Sequence, residues 1–173
     1  MKTLLNRLLL VAFVAGTFTL SAQNHSKVGH VNVDELIMSM PETRAAQTEL
    51  ETFAKSLEDD LLAMQSELEG KINNFRAKEK EMTDLTRETK YKEIQELDQR
   101  IQEYRTRAQE ALQQKEVELL TPVLDKAQQA IVEVGKAGGY AYVLDSSQSK
   151  GVVIFLDGGH DLMKDVKTKL GIQ

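Results

Sequence analysis

Apolar residues recur every three or four positions through a long polar block at residues 42–134. In the first part of this block the spacings follow an eleven-residue repeat. Eleven residues make three turns of about 3.67 residues each, so the apolar stripe stays on one face of a nearly straight helix. The helix is predicted to start at Pro41, because proline suits the first helical position. The stripe consists of Ala46, Leu50, Phe53, Leu57, Leu61, Met64, Leu68, Ile72 and Phe75.

A second apolar stripe follows the first. Between the two, residues 82–86 break the pattern with two threonines and an aspartate, which cap helices and compete for backbone hydrogen bonds. We therefore predict an antiparallel helical hairpin, the arm, over residues 41–118, with its tip near residues 82–88. Each leg of about 40 residues would span roughly 60 Å. The alternative is one helix of about 95 residues in a parallel dimer, since no glycine or proline marks the tip. The second stripe consists of Ile94, Leu97, Ile101, Tyr104, Ala108 and Leu112.

Two shorter segments, residues 27–40 and 119–173, remain to form a compact body. Residues 27–34 alternate well enough for one short strand, with Val31 and Val33 directed inward. After the second stripe, Pro122 is expected to interrupt and kink the helix because proline lacks an N–H. The pair of glycines at residues 138–139 is expected to end it.

Two β-rich runs, residues 140–144 and 152–156, precede a final apolar helical stripe at Leu162, Val166 and Leu170. The second run is apolar on both faces, so both faces must be covered. Three short strands leave open edges, and a body of about 70 residues without disulfides is a marginal core, so we predict an oligomer. The fold class is therefore α+β and mostly helical, with a long helical hairpin on a small β-rich oligomerisation body. Residues expected in that body are Val31, Val33, Tyr142, Leu144, Val153, Phe155, Leu162 and Val166.

The first 22 residues have the pattern of a cleaved secretory signal. Lys2 and Arg7 precede an apolar stretch at residues 8–20 that ends in small residues. This stretch is shorter than the roughly 20 residues that a bilayer span needs, so we expect export rather than a membrane anchor. Removing two basic residues from 22 leaves 20 against 27 acidic ones, a net charge of −7. This charge argues against nucleic acid as a partner.

No combination of residues indicates catalysis. The chain has no cysteine, which excludes disulfides, a thiolate nucleophile and a zinc–thiolate site. His25, His30 and His160 are far apart in the sequence and lack a carboxylate or serine at a motif spacing. The loop at residues 157–161 lacks the alternating acidic ligands of a calcium loop, so we expect Asp161 to cap the last helix instead. We therefore predict a protein that is not an enzyme and uses neither a metal nor a cofactor.

Charge is uneven along the predicted arm. Residues 51–69 hold six acidic side chains and one lysine, whereas residues 71–92 hold seven basic and four acidic ones. One interpretation is a solvated helix surface with ion pairs along each helix. The other is a tip that contacts an acidic client or anionic headgroups. The residues predicted for this contact are Phe75, Arg76, Lys78, Lys80, Met82, Leu85, Arg87, Lys90, Tyr91 and Lys92.

Four short motifs occur in a fixed order: KVGHVNV at residues 27–33, LTPVLDK at 120–126, GYAYVLD at 139–145 and DLMKDV at 161–166. With the Pro-Glu pair that opens the first leg, this ordered set resembles the Skp/OmpH family of periplasmic chaperones. The resemblance implies a homotrimer whose bodies gather three arms around a cavity. An unfolded outer-membrane protein would be held there without ATP or a cofactor. The resemblance also raises peripheral contact with an anionic membrane or lipopolysaccharide, and no lipopolysaccharide site is assigned residue by residue.

Two features depart from the family pattern. Well-studied relatives are basic whereas this chain is acidic, and Met163 stands where the family usually has threonine. The competing function class is an exported coiled-coil scaffold or spacer that binds a folded envelope partner. Such a scaffold would use its apolar stripes entirely within its own seam.

Overall fold

Two long antiparallel helices dominate the computed structural model, which describes residues 26–172. They confirm the predicted hairpin and the mostly helical α+β fold, and the single continuous helix is wrong. The predicted signal lies outside the described residues. In the described part of the chain, no helix combines the length and apolar character needed to cross a bilayer. The elements are, in order, β1 Val28–Val31, α1 Val33–Ser39, α2 Pro41–Lys78, α3 Asp84–Ala137, β2 Tyr142–Asp145, β3 His160–Asp161 and α4 Met163–Leu170, with 3-10 turns at Glu79–Glu81 and Gln148–Lys150.

The chain reverses direction at residues 79–83, slightly earlier than predicted. Helix α2 ends at Lys78 and passes into the 3-10 turn Glu79–Glu81. Thr83 then caps α3, because its side chain accepts a hydrogen bond from the Thr86 N–H at 3.3 Å. Residues 84–88 of the predicted tip are therefore the start of the returning helix. The sequence offered two threonines as caps, and the first of them has this role.

The sheet is parallel throughout, with strand order β2-β1-β3. Val28 lies opposite Tyr142 and Val31 opposite Asp145, whereas Gly29 lies opposite His160. Parallel neighbours need a crossover connection. Between β1 and β2, that crossover contains the complete arm. Pairing of these strands therefore holds the two ends of the hairpin together in the body.

Strand β1 ends earlier than predicted, and a short helix follows it. The Asn32 side chain caps α1 by accepting a hydrogen bond from the Glu35 N–H at 3.1 Å. Asp34 and Glu35 also suit the positive end of the helix dipole. Val33 is consequently the half-buried first residue of α1, and its assignment to an inward strand position was wrong.

Two further predictions for the body need correction. Residues 152–156 form no strand, and β2 begins at Tyr142 rather than at residue 140. Helix α3 is not interrupted at Pro122 but continues to Ala137. A proline removes one backbone hydrogen bond, and the helix around it is supported by packing of Val123 and Ala127 into the body core.

The body core is formed by residues from the segments that flank the arm on each side and from the region of the last helix. At β1, Gly29 permits close packing, because a Cβ there would lie 2.6 Å from Leu162 Cδ1. The Asp161 carboxylate accepts a hydrogen bond from the Met163 N–H at 2.9 Å. The N-cap of α4 is Leu162 rather than the predicted Asp161, so Asp161 binds the first helical N–H from one residue before the cap. The buried core cluster consists of Val31, Leu36, Met40, Val123, Ala127, Ala130, Leu162 and Val166.

Candidate functional site

The apolar seam between the two legs of the arm is only partly closed. Of the nine stripe residues on α2, Ala46 is buried and the other eight are half-buried. On α3, Leu97 and Ile101 are the fully buried members of the stripe, with 1% and 2% of their surface exposed. The remaining stripe residues on α3 are half-buried. The arm therefore presents edges of apolar surface along both sides of its seam.

A row of polar contacts, the inter-leg ladder, crosses the seam at regular intervals. Its three rungs are eleven residues apart on each leg, which places them on one face at three-turn spacing. Sequence reasoning found the eleven-residue apolar repeat but missed this polar counterpart. All three rungs are consistent with a single register of the two legs. Lys115 Nζ lies 2.7 Å from Glu49 Oε1, Tyr104 Oη donates to Asp60 Oδ2 at 3.1 Å, and Lys71 Nζ lies 3.9 Å from Glu93 Oε2.

Three members of the ladder have shifted pKa values. The hydrogen bond to Glu49 raises the pKa of Lys115. Hydrogen bonding by Lys90, with a smaller contribution from Lys71, lowers the pKa of Glu93. Burial and then the hydrogen bond to Asp60 raise the pKa of Tyr104.

The tip brings together part of the predicted contact set. The rings of Phe75 and Tyr91 are tilted against each other with centroids 6.5 Å apart. Phe75 also lines a small cavity of about 240 Å³ with Lys78, Met82 and Lys90. Leu85 lies outside this cavity and is largely exposed. The tip thus combines aromatic, methionine and lysine side chains within one small surface.

The basic residues of the tip fall into two groups. Arg87 pairs with Asp84 at 3.2 Å, Lys90 pairs with Glu93 at 2.9 Å, and Lys92 lies 3.9 Å from Glu96. Within residues 26–172, the exposed Arg76, Lys78 and Lys80 make no ion pair. Only the second group offers cations that are free to meet an anionic partner.

The residues predicted for an oligomerisation body occupy three environments. Val31, Leu162 and Val166 are buried in the core of the chain itself. Val33 and Val153 are half-buried. Residues available on the surface are Tyr142, Leu144 and Phe155.

An apolar segment at residues 152–156 is largely exposed. Ile154 is 96% exposed and Phe155 is 80% exposed. Strand β2 is an outer strand of the sheet, and its Tyr142 side chain is also exposed. An exposed apolar segment and an open strand edge are each typical of surfaces that pair with another chain.

A second cavity, the root groove, lies where α1 meets the base of the arm. Its volume is about 330 Å³. Sequence reasoning missed it because residues 33–39 were not predicted to be helical. The apolar residues of the root groove are Ile37, Met38, Ala46, Leu50, Leu119 and Leu120.

Residues with metal-binding or catalytic side chains are dispersed. The described part of the chain has no group of three or more histidine, aspartate or glutamate residues that could hold a metal ion. His160 packs edge-on against Tyr140, with ring centroids 5.5 Å apart.

Comparisons with known proteins agree on one family. A family model described as outer membrane protein (OmpH-like) matches residues 27–170. A protein of Photorhabdus laumondii described as chaperone protein Skp is 28% identical over 142 residues, which cover 78% of this chain and 81% of the relative. A protein of Pectobacterium atrosepticum with the same description is 26% identical over 150 residues, covering 85% and 89%. The crystal structure of an OmpH-like protein from Caulobacter crescentus CB15 has the same fold, with a TM-score of 0.73 and 17% identity over 84% of this chain and 83% of that chain.

Proposed function

Because the chain belongs to the family of OmpH-like outer membrane proteins, we propose that it is a periplasmic holdase chaperone. It binds unfolded outer-membrane proteins without ATP and prevents their aggregation. Two relatives that are described as chaperones match this chain over most of their length, which supports the chaperone role. Binding of unfolded outer-membrane proteins in the periplasm is the more specific part of the proposal.

The open seam of the arm is the observation that carries this proposal. Its stripe residues are mostly half-buried, so a client can contact their edges without unfolding the hairpin. Burial of apolar surface contributes about 25 cal/mol per Å², so many small contacts hold a client while each remains reversible. A scaffold with a fully closed seam would lack these edges.

Dilution of a urea-unfolded β-barrel protein tests the holdase activity. We expect a stoichiometric amount of the purified chaperone to suppress the light scattering of the aggregating barrel protein. Addition of ATP should not change the result. If scattering is the same with and without the protein, the holdase function is wrong and the alternative of an exported scaffold or spacer is favoured.

We further propose that the body assembles three copies into a homotrimer through residues 152–156 and the outer edge of β2. The exposed Phe155 would be buried between copies, where an aspartate would carry an unpaired charge. Light scattering should give about three times the mass of the mature chain, and Phe155→Asp should lower it. Leu62→Asp is the matched control, because Leu62 is an exposed leucine on the arm. A wild-type monomer, or an unchanged mass for Phe155→Asp, would contradict this assembly.

For the tip, we propose that its free cations contact acidic segments of clients. Arg76, Lys78 and Lys80 are the exposed cations that support this role. Lys78→Glu combined with Lys80→Glu should weaken protection of an acidic client, whereas Lys164→Glu in α4 should not. Flotation with phosphatidylglycerol vesicles tests the alternative that the tip meets anionic headgroups. If the double variant and Lys164→Glu protect the acidic client equally, the contact of the tip with clients is wrong. If the two variants also float equally with the vesicles, the contact with headgroups is wrong as well.

A further inference from the structure

We propose that the root groove is a side-chain subsite for unfolded clients, and that it prefers aliphatic segments flanked by lysine or arginine. This proposal rests on the proposed holdase function and specifies the chemical class of segment that is held. It is carried by the lining of the groove and by the distribution of charge around it.

The groove has walls from three helices. Helix α1 contributes Ile37 and Met38, and the two legs of the arm contribute the other apolar residues. Six of its ten lining residues are apolar. Its volume of about 330 Å³ is near the lower end of the range for ligand pockets, roughly 300 to 1,000 Å³. The groove can therefore take a small number of aliphatic side chains rather than a folded surface.

Met38 makes the groove accessible and adaptable. It is 73% exposed although it belongs to a helix that packs on the body. A methionine side chain is unbranched and polarizable, so it adjusts to apolar partners of different shape. This property suits a subsite that must accept many client sequences.

The charged residues that line the groove are both acidic. Asp34 lies at the α1 side and Glu116 at the α3 side, and the lining contains no lysine or arginine. Asp34 accepts a hydrogen bond from the Ser149 hydroxyl. Glu116 makes no ion pair within residues 26–172. A client lysine or arginine beside the apolar segment would therefore meet carboxylates.

The charge of the whole arm favours the same class of client. Residues 41–118 carry 19 acidic and 13 basic side chains, a net charge of −6, whereas the mature chain carries −7. Almost all of the excess negative charge is therefore on the arm. Such a field attracts basic segments and repels a second copy of the equally acidic arm. Charge complementarity thus favours a basic client segment over another copy of this chain as the occupant.

Two labelled peptides test the preference directly. Both contain the same central run of aliphatic residues, flanked on each side by two lysines in one peptide and by two glutamates in the other. Fluorescence polarisation with the full-length mature protein should show about tenfold tighter binding of the lysine-flanked peptide at low salt. The ratio should shrink in high salt, because salt screens exposed charges. Equal affinities at low salt would overturn the proposal.

Two variants, each with a control, test whether the peptides bind in the groove. Met38→Asp should weaken binding of both peptides about tenfold or more, whereas Leu62→Asp, at an exposed leucine on the arm, should bind like the wild type. Glu116→Lys should reduce the preference for the lysine-flanked peptide, and Glu110→Lys on the same helix is its control. Unchanged binding by Met38→Asp would overturn the proposal. A lower oligomeric mass of Met38→Asp would also overturn it, because the groove would then be an interface between copies.

The outcomes separate this proposal from the holdase function. If the protein suppresses aggregation of the barrel protein but does not discriminate between the peptides, the holdase function stands and the subsite is wrong. If it discriminates between the peptides in a groove-dependent manner but does not suppress aggregation, the subsite stands and the holdase function is wrong.

Discussion

The body and the arm of this protein bury apolar side chains to very different degrees. The body closes a core of eight buried apolar residues over a three-stranded parallel sheet. The arm is the longer part of the chain, yet its buried apolar residues are Ala46, Leu97 and Ile101. Stability is therefore concentrated at the root of the arm, whereas the arm itself is held by a half-open seam and exposed polar rungs.

This difference suits a protein that must hold changing partners. Regions with few buried contacts open locally at low free energy, while a packed core opens only on global unfolding. The body can keep the two ends of the arm together while the seam yields to a client. The comparison predicts that similar substitutions have larger effects in the body than in the arm.

Truncation of a leucine side chain should give the largest difference in stability between the body and the arm. Leu36 is fully buried in the body, whereas Leu68 is half-buried in the seam. Leu36→Ala should lower the free energy of unfolding by about 2–5 kcal/mol, because it leaves a cavity. Leu68→Ala should cost about 1 kcal/mol, since part of that side chain is already in water. Urea unfolding followed by circular dichroism measures both, and equal costs would contradict the contrast.

Alanine substitutions at two glycines should change the stability of the protein in opposite directions. At Gly29 a Cβ would lie 2.6 Å from Leu162 Cδ1 and 3.2 Å from Tyr140 Cδ1, whereas at Gly70 no atom lies within 4 Å. Gly29→Ala should destabilise the protein by about 1–3 kcal/mol through overpacking. Gly70→Ala lies in an exposed helix and should stabilise the arm by about 0.5–1 kcal/mol. Thermal unfolding and amide exchange in the arm are the measurements. A stabilised Gly29→Ala would show that the packing at β1 is looser than described.

Local periodicity predicted the arm well because an arm is mostly local structure. The eleven-residue repeat from Ala46 to Phe75 identified α2 and its seam face, and every predicted position on that face is at least half-buried. The threonines after Met82 indicated a turn, and the first of them, Thr83, caps α3. Helix α1 was missed despite a recognisable signal, since Asn32 followed by Asp34 and Glu35 is a typical helix start.

The body was harder to predict because its elements depend on distant partners. Residues 152–156 have strand-like composition, but a strand requires a neighbour, and within this chain β1 pairs with β2 and β3 instead. The root groove depends on α1 lying against two legs whose groove residues are about 70 residues apart in sequence. The contact residues proposed for the tip stay predictions, because their role is defined by a partner.

The two regions should also differ in their response to acid. Burial acts to raise the pKa of Asp145, but hydrogen bonds from the Ser147 hydroxyl, the Ser147 N–H and the Val33 N–H outweigh it and hold the pKa below its ordinary value. The pKa of Glu93 in the arm is also lowered, mainly by the hydrogen bond from Lys90, but its surroundings are exposed.

A lowered pKa in the folded state makes Asp145 stabilising above the unfolded pKa of about 3.9, and this contribution is lost as the pH falls through the lower folded pKa. Asp145→Asn should cost about 1–2 kcal/mol at pH 7 through weakened hydrogen bonds, and the deficit should shrink below pH 4. Glu93→Gln should show no measurable pH-dependent change, because solvent screens an exposed pair. Urea midpoints between pH 7 and 3 measure both variants. A deficit for Asp145→Asn that is constant over this range would exclude a charge-dependent role.

Charge reversal in the inter-leg ladder should have the smallest effect, and it tests whether the rungs set the register of the arm. Lys115→Glu would place two carboxylates where Lys115 Nζ now lies 2.7 Å from Glu49 Oε1. Because exposed ion pairs contribute little, amide exchange in the arm should speed up only about two- to fivefold, with no change in the body. Combining Lys115→Glu with Glu49→Lys restores opposite charges and should recover the wild-type rates. If the double variant exchanges faster than the single one, the two side chains act independently and the half-buried apolar seam alone determines how the legs align.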